Sequence, residues 1–166
     1  TTEIYTLSLH DALPISNARG PQTLGDVAIA TGARAVSIEE VASGVDALVL
    51  SIPQRATPSL RPELFARAPV VIDTNNYYPF RDDRIAALDN GLADSVWVTQ
   101  HVRRPVVKAF NSIQSHSLAQ YGRPPGATDR IALPLSGDDA AAMDTSVALV
   151  EAAGFHAVVI GNLACS

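Results

Sequence analysis

The chain has 166 residues, of which 47% are hydrophobic and 17% are charged, and its formal net charge is −5. This length is sufficient for one domain with a sizeable core. The acidic balance argues against nucleic acid as a partner, because neutralising phosphates requires a basic surface. The chain has one cysteine and no apolar run near the ~20 residues of a membrane span. We therefore expect a cytoplasmic α/β protein with no membrane partner and no disulfide framework.

From residue 21 onward, helix patterns alternate with strand patterns. PQTLGDVAIATGA predicts a helix between Pro21 and Gly32, since proline favours the first helical position and glycine the helix end. ARAVS predicts a brief strand. In SIEEVASG, Ser37 and Glu40 have the spacing of a capping box. DALVLSIP then predicts an uninterrupted apolar strand that ends at Pro53.

The rest of the chain continues this alternation. Helix patterns in PSLRPELFARA, RDDRIAALDNG and DDAAAMDTSVALVEAAG separate the strand patterns PVVIDTNN, RPVVKAFNS, RIALPLSG and HAVVIGN, whereas ADSVWVTQHV is less regular. Apolar strands without polar alternation, separated by helices, indicate a parallel sheet covered on both faces. We predict a doubly wound α/β fold of the Rossmann type, whose ligands bind at the carboxyl ends of the strands.

Three segments that follow predicted strands define a candidate site: SIPQ, DTNNYYP and KAFNS. Consecutive asparagines provide amide donors and acceptors, although they also form turns for local reasons. Tyr77 and Tyr78 could either wall a flat ligand or cap the core. Lys108 could contact a phosphate, polarise a carbonyl or extend to solvent. The paired acids at 82–83 and 138–139 are better explained by helix capping than by catalysis.

The segment SNARGPQTL places Arg19 just before a predicted helix. In a nucleotide-binding sheet, the loop after the second strand meets the adenine ribose, and an arginine there favours a 2′-phosphate. Arg19, with Asn17 and Ser16, would then select NADP over NAD. The alternative is a solvated arginine in an ordinary loop. Neither a metal site nor a catalytic dyad is predicted, because the histidines lack metal-site spacing and no nucleophile elbow occurs.

In this order, SNARGPQTL, DALVLSIP, VVIDTNNYYPFRD, VVKAFNSI, RIALPLSGDDAAA and AAGFHAVVIGNLA resemble the NADP-binding oxidoreductases related to the deazaflavin (coenzyme F-420)-dependent NADP reductases. The resemblance runs from about residue 16 to the end of the chain. It implies hydride transfer between NADPH and a deazaflavin or similar small-molecule acceptor, in a protein that could assemble as a homodimer. Such chemistry depends on positioning more than on a strong acid or base.

The resemblance also implies a set of cofactor-binding residues. The 2′-phosphate would be held by Ser16, Asn17 and Arg19. The dinucleotide would lie along Ser51, Ile52 and Pro53. The nicotinamide side would be approached by Thr74, Asn75, Asn76, Ala109, Phe110 and Asn111.

Two features depart from this family. The chain contains no G-x-G-x-x-G turn, and it stops where members continue into a further segment, so the resemblance predicts a Rossmann domain truncated at both ends. Residues 1–15, TTEIYTLSLHDALPI, match the translated end of a widely used short-read sequencing adapter. We therefore expect residues 1–15 to be non-native. Residues 16–166 would be a partial, inactive NADP-binding domain without its first strand and glycine-rich loop. EIYTLSL has the composition of a strand and could lie beside the sheet.

Two alternative functions stay open, because a fold does not determine a function. One is an NADPH-dependent imine or carbonyl reductase of the pyrroline-carboxylate reductase type. The other is a non-catalytic nucleotide-binding module. Deazaflavin-dependent NADPH oxidation, imine turnover, or tight binding without turnover by the parent protein would distinguish the three.

Overall fold

The computed structural model describes residues 3–7, for their backbone pairing alone, and residues 13–166. Within these residues the strands form one sheet in the order β3-β2-β1-β4-β5-β6-β7-β8. The strands are β1 Glu3–Leu7, β2 Pro14–Ser16, β3 Arg34–Ala35, β4 Ala47–Ser51, β5 Val71–Asp73, β6 Val106–Lys108, β7 Ala132–Gly137 and β8 His156–Gly161.

Helices lie between these strands. They are α1 Gly25–Thr31, α2 Pro62–Phe65, α3 Pro79–Asp82, α4 Ala86–Asp89, α5 Asp94–Val102, α6 Ser115–Gln120 and α7 Ala140–Ala152. Short 3-10 turns span Pro21–Thr23, Gln54–Ser59 and Leu163–Cys165. In the part of the chain that is described, no helix is both long and apolar enough to cross a membrane.

The core lies on both faces of the sheet, because successive residues of a strand point to opposite sides. Leu48 and Leu50 of β4 pack into one buried cluster with Phe65 and Trp97. A second cluster contains Ala47 of β4 with residues of β5 to β7 and of α7, namely Ile72, Val107, Leu133, Leu135, Val150 and others. The predicted α/β sheet covered on both faces is therefore confirmed.

Strand directions are mostly parallel. The pairs β2–β3, β4–β5, β5–β6 and β7–β8 are parallel, whereas β6 and β7 are antiparallel. The predicted parallel sheet is thus confirmed for most of the pairs, and the direction changes between β6 and β7. A parallel crossover needs a connection that packs back across the sheet. Helix α6, which follows β6, has only six residues and buries none of them, so it does not return the chain across the sheet.

Strand β1 lies within the sheet, between β2 and β4, and not beside it as the sequence suggests. Ile4 is opposite both Ser16 of β2 and Leu50 of β4, and β1 is antiparallel to each of these strands. Strands β2 and β4 are therefore parallel to one another, and β1 runs against both of them. Backbone N–H and C=O groups need partners whatever the side chains are, so an extended segment satisfies the facing edges of β2 and β4. The last residues of the predicted strand, Ser8 and Leu9, lie outside the described residues.

Several local predictions are confirmed. The first helix follows Pro21 and ends at Gly32, which has the left-handed φ of 71° that favours glycine. Asp139 caps α7 by accepting a hydrogen bond from the Ala142 N–H at 2.8 Å. The Glu40 carboxylate accepts from Ser37 N–H, as in a capping box, although turns and not an α-helix follow.

The segment ADSVWVTQHV, which has no regular pattern, forms the nine-residue helix α5. Its β-branched residues disfavour a helix intrinsically. The helix is stabilised instead by burial of side chains that include Trp97 and Val98. Tertiary packing therefore overrides the local sequence signal here.

Two phenylalanines allow a matched test of the core. Phe155→Ala, at a fully buried position, should lower the free energy of unfolding by about 3–5 kcal/mol. Phe80→Ala, at a position that is 89% exposed, should change it by less than about 0.5 kcal/mol. Urea unfolding followed by circular dichroism measures both. Equal losses in the two variants would contradict the described packing.

Candidate functional site

The carboxyl ends of three parallel strands meet at one edge of the sheet. Leu50 of β4 is opposite Asp73 of β5, and Asp73 is opposite Lys108 of β6. The segments that follow these strands therefore lie close together. A pocket of about 210 Å³ at this edge is lined by Ser51, Ile52, Pro53, Thr74, Asn75, Asn76, Tyr78 and Arg81. Six of the twelve predicted cofactor-binding residues line it.

Asn75 joins the loops after β4 and β5. Its Oδ1 accepts a hydrogen bond from the Ile52 N–H at 2.7 Å, and its own N–H donates to Asp73 Oδ1 at 3.0 Å. The Thr74 N–H donates to the Leu50 carbonyl at 3.1 Å. Because these bonds are buried or half-buried, they hold the pocket wall in one arrangement.

The loop after β6 joins the same frame. Asn76 Nδ2 donates to the Asn111 carbonyl at 2.9 Å, and Asn111 Nδ2 donates to Asn76 Oδ1 at 3.2 Å. Ala109 is buried, and its N–H donates to the Asp73 carbonyl at 3.2 Å. Phe110 has a φ of 59°, which residues other than glycine rarely adopt and which costs conformational energy. The structure thus brings all three predicted segments together.

A buried ion pair lies beneath the pocket. Lys108 Nζ is 3.6 Å from Asp73 Oδ2 and donates a hydrogen bond to the Asn75 carbonyl. Ser95 Oγ of α5 donates to Asp73 Oδ2 at 2.6 Å, and Asp94 Oδ2 lies 3.9 Å from Lys108 Nζ. Burial raises the pKa of Asp73 above its ordinary value, while the charge of Lys108 opposes that rise. Lys108 therefore neither extends to solvent nor lies free for a phosphate.

The two tyrosines have different surroundings. Tyr77 packs against the core, and its hydroxyl donates to Asp89 Oδ1 at 2.9 Å. Tyr78 is 42% exposed and lines the pocket. Of the two alternatives left open by the sequence, capping the core applies to Tyr77 and a wall of the pocket to Tyr78.

The segment around Arg19 lies at the same edge, on the far side of β1. Ser16 and Leu50 flank Ile4, so β2 ends about 10 Å from β4 along the sheet. Asn17 is buried, its Nδ2 donates to Thr23 Oγ1 at 3.0 Å, and its Oδ1 accepts from Arg19 N–H at 2.9 Å. Asn17 therefore shapes the turn, and Ser16 is buried, whereas Arg19 is exposed.

Sequence reasoning missed three features of the site. Arg81 lines the pocket but lies in a helix pattern that had no assigned role. Ser95 lies in the segment that lacked a regular pattern. Asp73 was overlooked although a signal existed, since an acid ends one predicted strand and a lysine ends the next predicted strand along the chain. Among the described residues, no group of three or more acids, histidines or cysteines could hold a metal ion.

A second cavity of about 460 Å³ lies between residues 38–39 and the segment 59–67. It contains none of the predicted site residues. Its four charged side chains are all exposed, namely Glu39, Arg61, Glu63 and Arg67. The charges of this groove are solvated, whereas the polar groups of the smaller pocket are held by buried hydrogen bonds, so the smaller pocket at the sheet edge is the better candidate despite its size.

No protein-family model matches this chain, and no curated protein matches it. Its structure is similar to that of the hypothetical protein SMa0349 from Sinorhizobium meliloti, with a TM-score of 0.72 and 27% identity, where 91% of this chain covers 74% of that one. It is also similar to a protein from Arthrobacter sp. FB24 with the provisional name F-420-dependent NADP reductase, with a TM-score of 0.66 and 16% identity, over 89% of this chain and 74% of that one. These similarities establish a Rossmann-like α/β fold.

Removing the cation of the buried pair gives a test of the site's electrostatics. Lys108→Met leaves the buried Asp73 carboxylate unpaired and should cost about 3–5 kcal/mol of unfolding free energy at neutral pH. Because the pKa of Asp73 is raised in the folded state, its protonation stabilises the folded state at low pH. This stabilisation is lost as the pH rises through the folded-state pKa. Since Lys108 opposes the rise, the variant's Asp73 pKa should be higher still. The loss should therefore shrink on acidification.

Urea unfolding between about pH 4 and about pH 8 measures this dependence. As a control, the double variant with Asp73→Asn and Lys108→Met removes both charges and should recover part of the loss at neutral pH. A loss that is independent of pH would show that Lys108 contributes by packing alone.

Proposed function

We propose that this chain is part of an NADP(H)-dependent oxidoreductase that transfers a hydride between NADPH and a deazaflavin or similar acceptor. The main support for this proposal is that the candidate cofactor-binding segments lie at one edge of the sheet. The segments after β2, β4, β5 and β6 all lie there, on a fold similar to that of a protein named as an NADP reductase. In open α/β sheets this edge is where ligands bind.

The residues present fit the two ends of an NADP dinucleotide lying across this edge. Arg19 offers an exposed guanidinium for the 2′-phosphate, on a turn that Asn17 holds in place. The segment Ser51–Pro53 would run along the dinucleotide. At about 210 Å³ the pocket is too small for a whole dinucleotide, but it suits one ring or carboxamide at the nicotinamide end.

In such a reaction the main task of the protein is to position the dinucleotide and the hydride acceptor. The dinucleotide supplies the hydride, and the chain's residues orient the two partners and exclude water. Asn75 is held on three sides by Ile52, Asp73 and Lys108, and Asn76 is held by Asn111. A frame fixed in this way fits the direct transfer of a hydride between two rings, which needs no protonating side chain.

We further propose that residues 1–15 are a foreign segment and that the 166-residue chain is inactive. The direction of β1 supports this. β1 ends at Leu7, opposite Ala47, at the edge of the sheet away from the pocket. In Rossmann folds the pyrophosphate is held by a glycine-rich turn after a central parallel strand. The sequence has no glycine before Gly20, so β1 is not followed by such a turn.

NADPH titration tests this proposal in two proteins. The 166-residue chain should show no saturable NADPH binding by calorimetry. A chimera in which a strand, a G-x-G-x-x-G turn and a helix from a known NADP-binding Rossmann protein replace residues 1–13 should bind it, because the pyrophosphate regains its anchor. Micromolar binding by the unaltered chain would refute the inactive-fragment proposal. A folded chimera that does not bind NADPH would refute the dinucleotide site.

Arg19 should determine the preference between the two dinucleotides in that chimera. Arg19→Ala removes a charge-assisted hydrogen bond to the 2′-phosphate, so NADPH affinity should fall about tenfold or more while NADH affinity stays unchanged. Arg34→Ala is the matched control, since Arg34 is also exposed but lies opposite Pro14, at the start of β2 and the other edge of the sheet. Equal effects on NADPH and NADH would contradict the assigned role.

A further inference from the structure

Two aromatic side chains are exposed beside the pocket. Phe80 is 89% exposed and Tyr78 is 42% exposed, and their ring centroids lie 5.6 Å apart with planes inclined by 36°. An exposed phenylalanine ring does not contribute the favourable free energy of burial that such rings contribute in a protein core. Exposed apolar groups that cluster at a pocket mark binding surfaces.

The Tyr78 ring is held in place before any ligand arrives. The Arg81 guanidinium lies over the Tyr78 ring, 5.0 Å from its centroid. Arg81 Nη2 is held by Asp82 Oδ2 at 2.7 Å and by the Asn76 carbonyl at 2.6 Å. The Tyr78 N–H donates to the same Asp82 carboxylate at 2.9 Å. A surface ordered in advance loses little conformational entropy when it binds.

The size of the pocket indicates how this aromatic surface is used. A volume of about 210 Å³ is below the roughly 300–1,000 Å³ of most small-molecule sites. A flat ligand of two or three fused rings does not fit inside such a pocket and must lie outside it, which leaves the pocket itself for a single ring. Because Tyr78 lines the pocket and Phe80 lies against Tyr78, these two rings offer a flat ligand a stacking surface beside the pocket.

We propose that Tyr78 and Phe80 form a stacking platform for a planar fused-ring heterocycle, and that Arg81 is the positioning residue that holds Tyr78. The identification of this heterocycle as the hydride acceptor rests on the proposed function. The preference of the platform for flat conjugated rings does not rest on the proposed function, because stacking needs only a π face.

Riboflavin is a suitable probe because its tricyclic ring is flat and fluorescent. The 166-residue chain should bind riboflavin saturably, as measured by fluorescence anisotropy. Phe80→Ala should weaken this binding about tenfold, the loss typical of one stacking aromatic. Phe80→Tyr, which keeps a ring, should restore it. Ile29→Ala is the matched control, because Ile29 is 85% exposed but lies on α1, and it should leave the affinity unchanged.

Three results would overturn the platform: no saturable binding by the chain, equal affinities of the Phe80→Ala and Ile29→Ala variants, or failure of Phe80→Tyr to restore binding. Riboflavin binding requires no dinucleotide, so the platform and the proposed function can fail separately. If the folded chimera does not bind NADPH, the proposed dinucleotide site is refuted and the platform is not. If the chimera binds NADPH but the chain does not bind riboflavin, the platform alone is refuted.

Discussion

The contact between Asp73 and Lys108 connects three elements of the structure at the site. It links the ends of β5 and β6, and Ser95 extends it to α5. Two neighbouring hydrogen bonds, from Asn75 N–H to Asp73 and from Lys108 to the Asn75 carbonyl, fix the loop that lines the pocket. Burying two charges is costly, and the cost is offset only when the surrounding hydrogen bonds are made. The pair therefore stabilises the site only in the arrangement that keeps its loops together.

The position of the site follows from sheet geometry. Parallel strands in register end at the same level, so whatever follows β4, β5 and β6 is gathered at one edge. The segment around Arg19 lies at the same edge, but β1 separates it from β4. The candidate dinucleotide path thus runs over a strand that contributes backbone pairing and no glycine-rich turn.

Much of this organisation was predictable from the sequence. Apolar runs such as DALVLSIP and PVVID specify buried strands because few other environments accept them, and Pro21 and Gly32 bound a helix through their backbone preferences. The segments that line the pocket followed from the same rule. What escaped prediction depends on distant partners. Helix α5 exists because Trp97 and Val98 are buried, and the roles of Tyr77 and Tyr78 differ through their neighbours and not through their chemistry. The change of strand direction at β7 depends on whether α6 packs against the sheet, and the sequence of this six-residue helix does not show whether it does.

Strand β1 also bears on how the molecule could unfold locally. In the sheet order it is the one strand that joins β2 and β3 to β4 through β8. Cooperative units of local unfolding often coincide with such blocks of paired strands. Local unfolding of β1 would loosen the connection between the block that carries Arg19 and the block that carries the pocket. The two blocks also share core contacts, because Val36, which follows β3, packs in one cluster with Leu48 and Leu50 of β4. The pairing of residues 3–7 is therefore not the sole connection between the two ends of the candidate dinucleotide site.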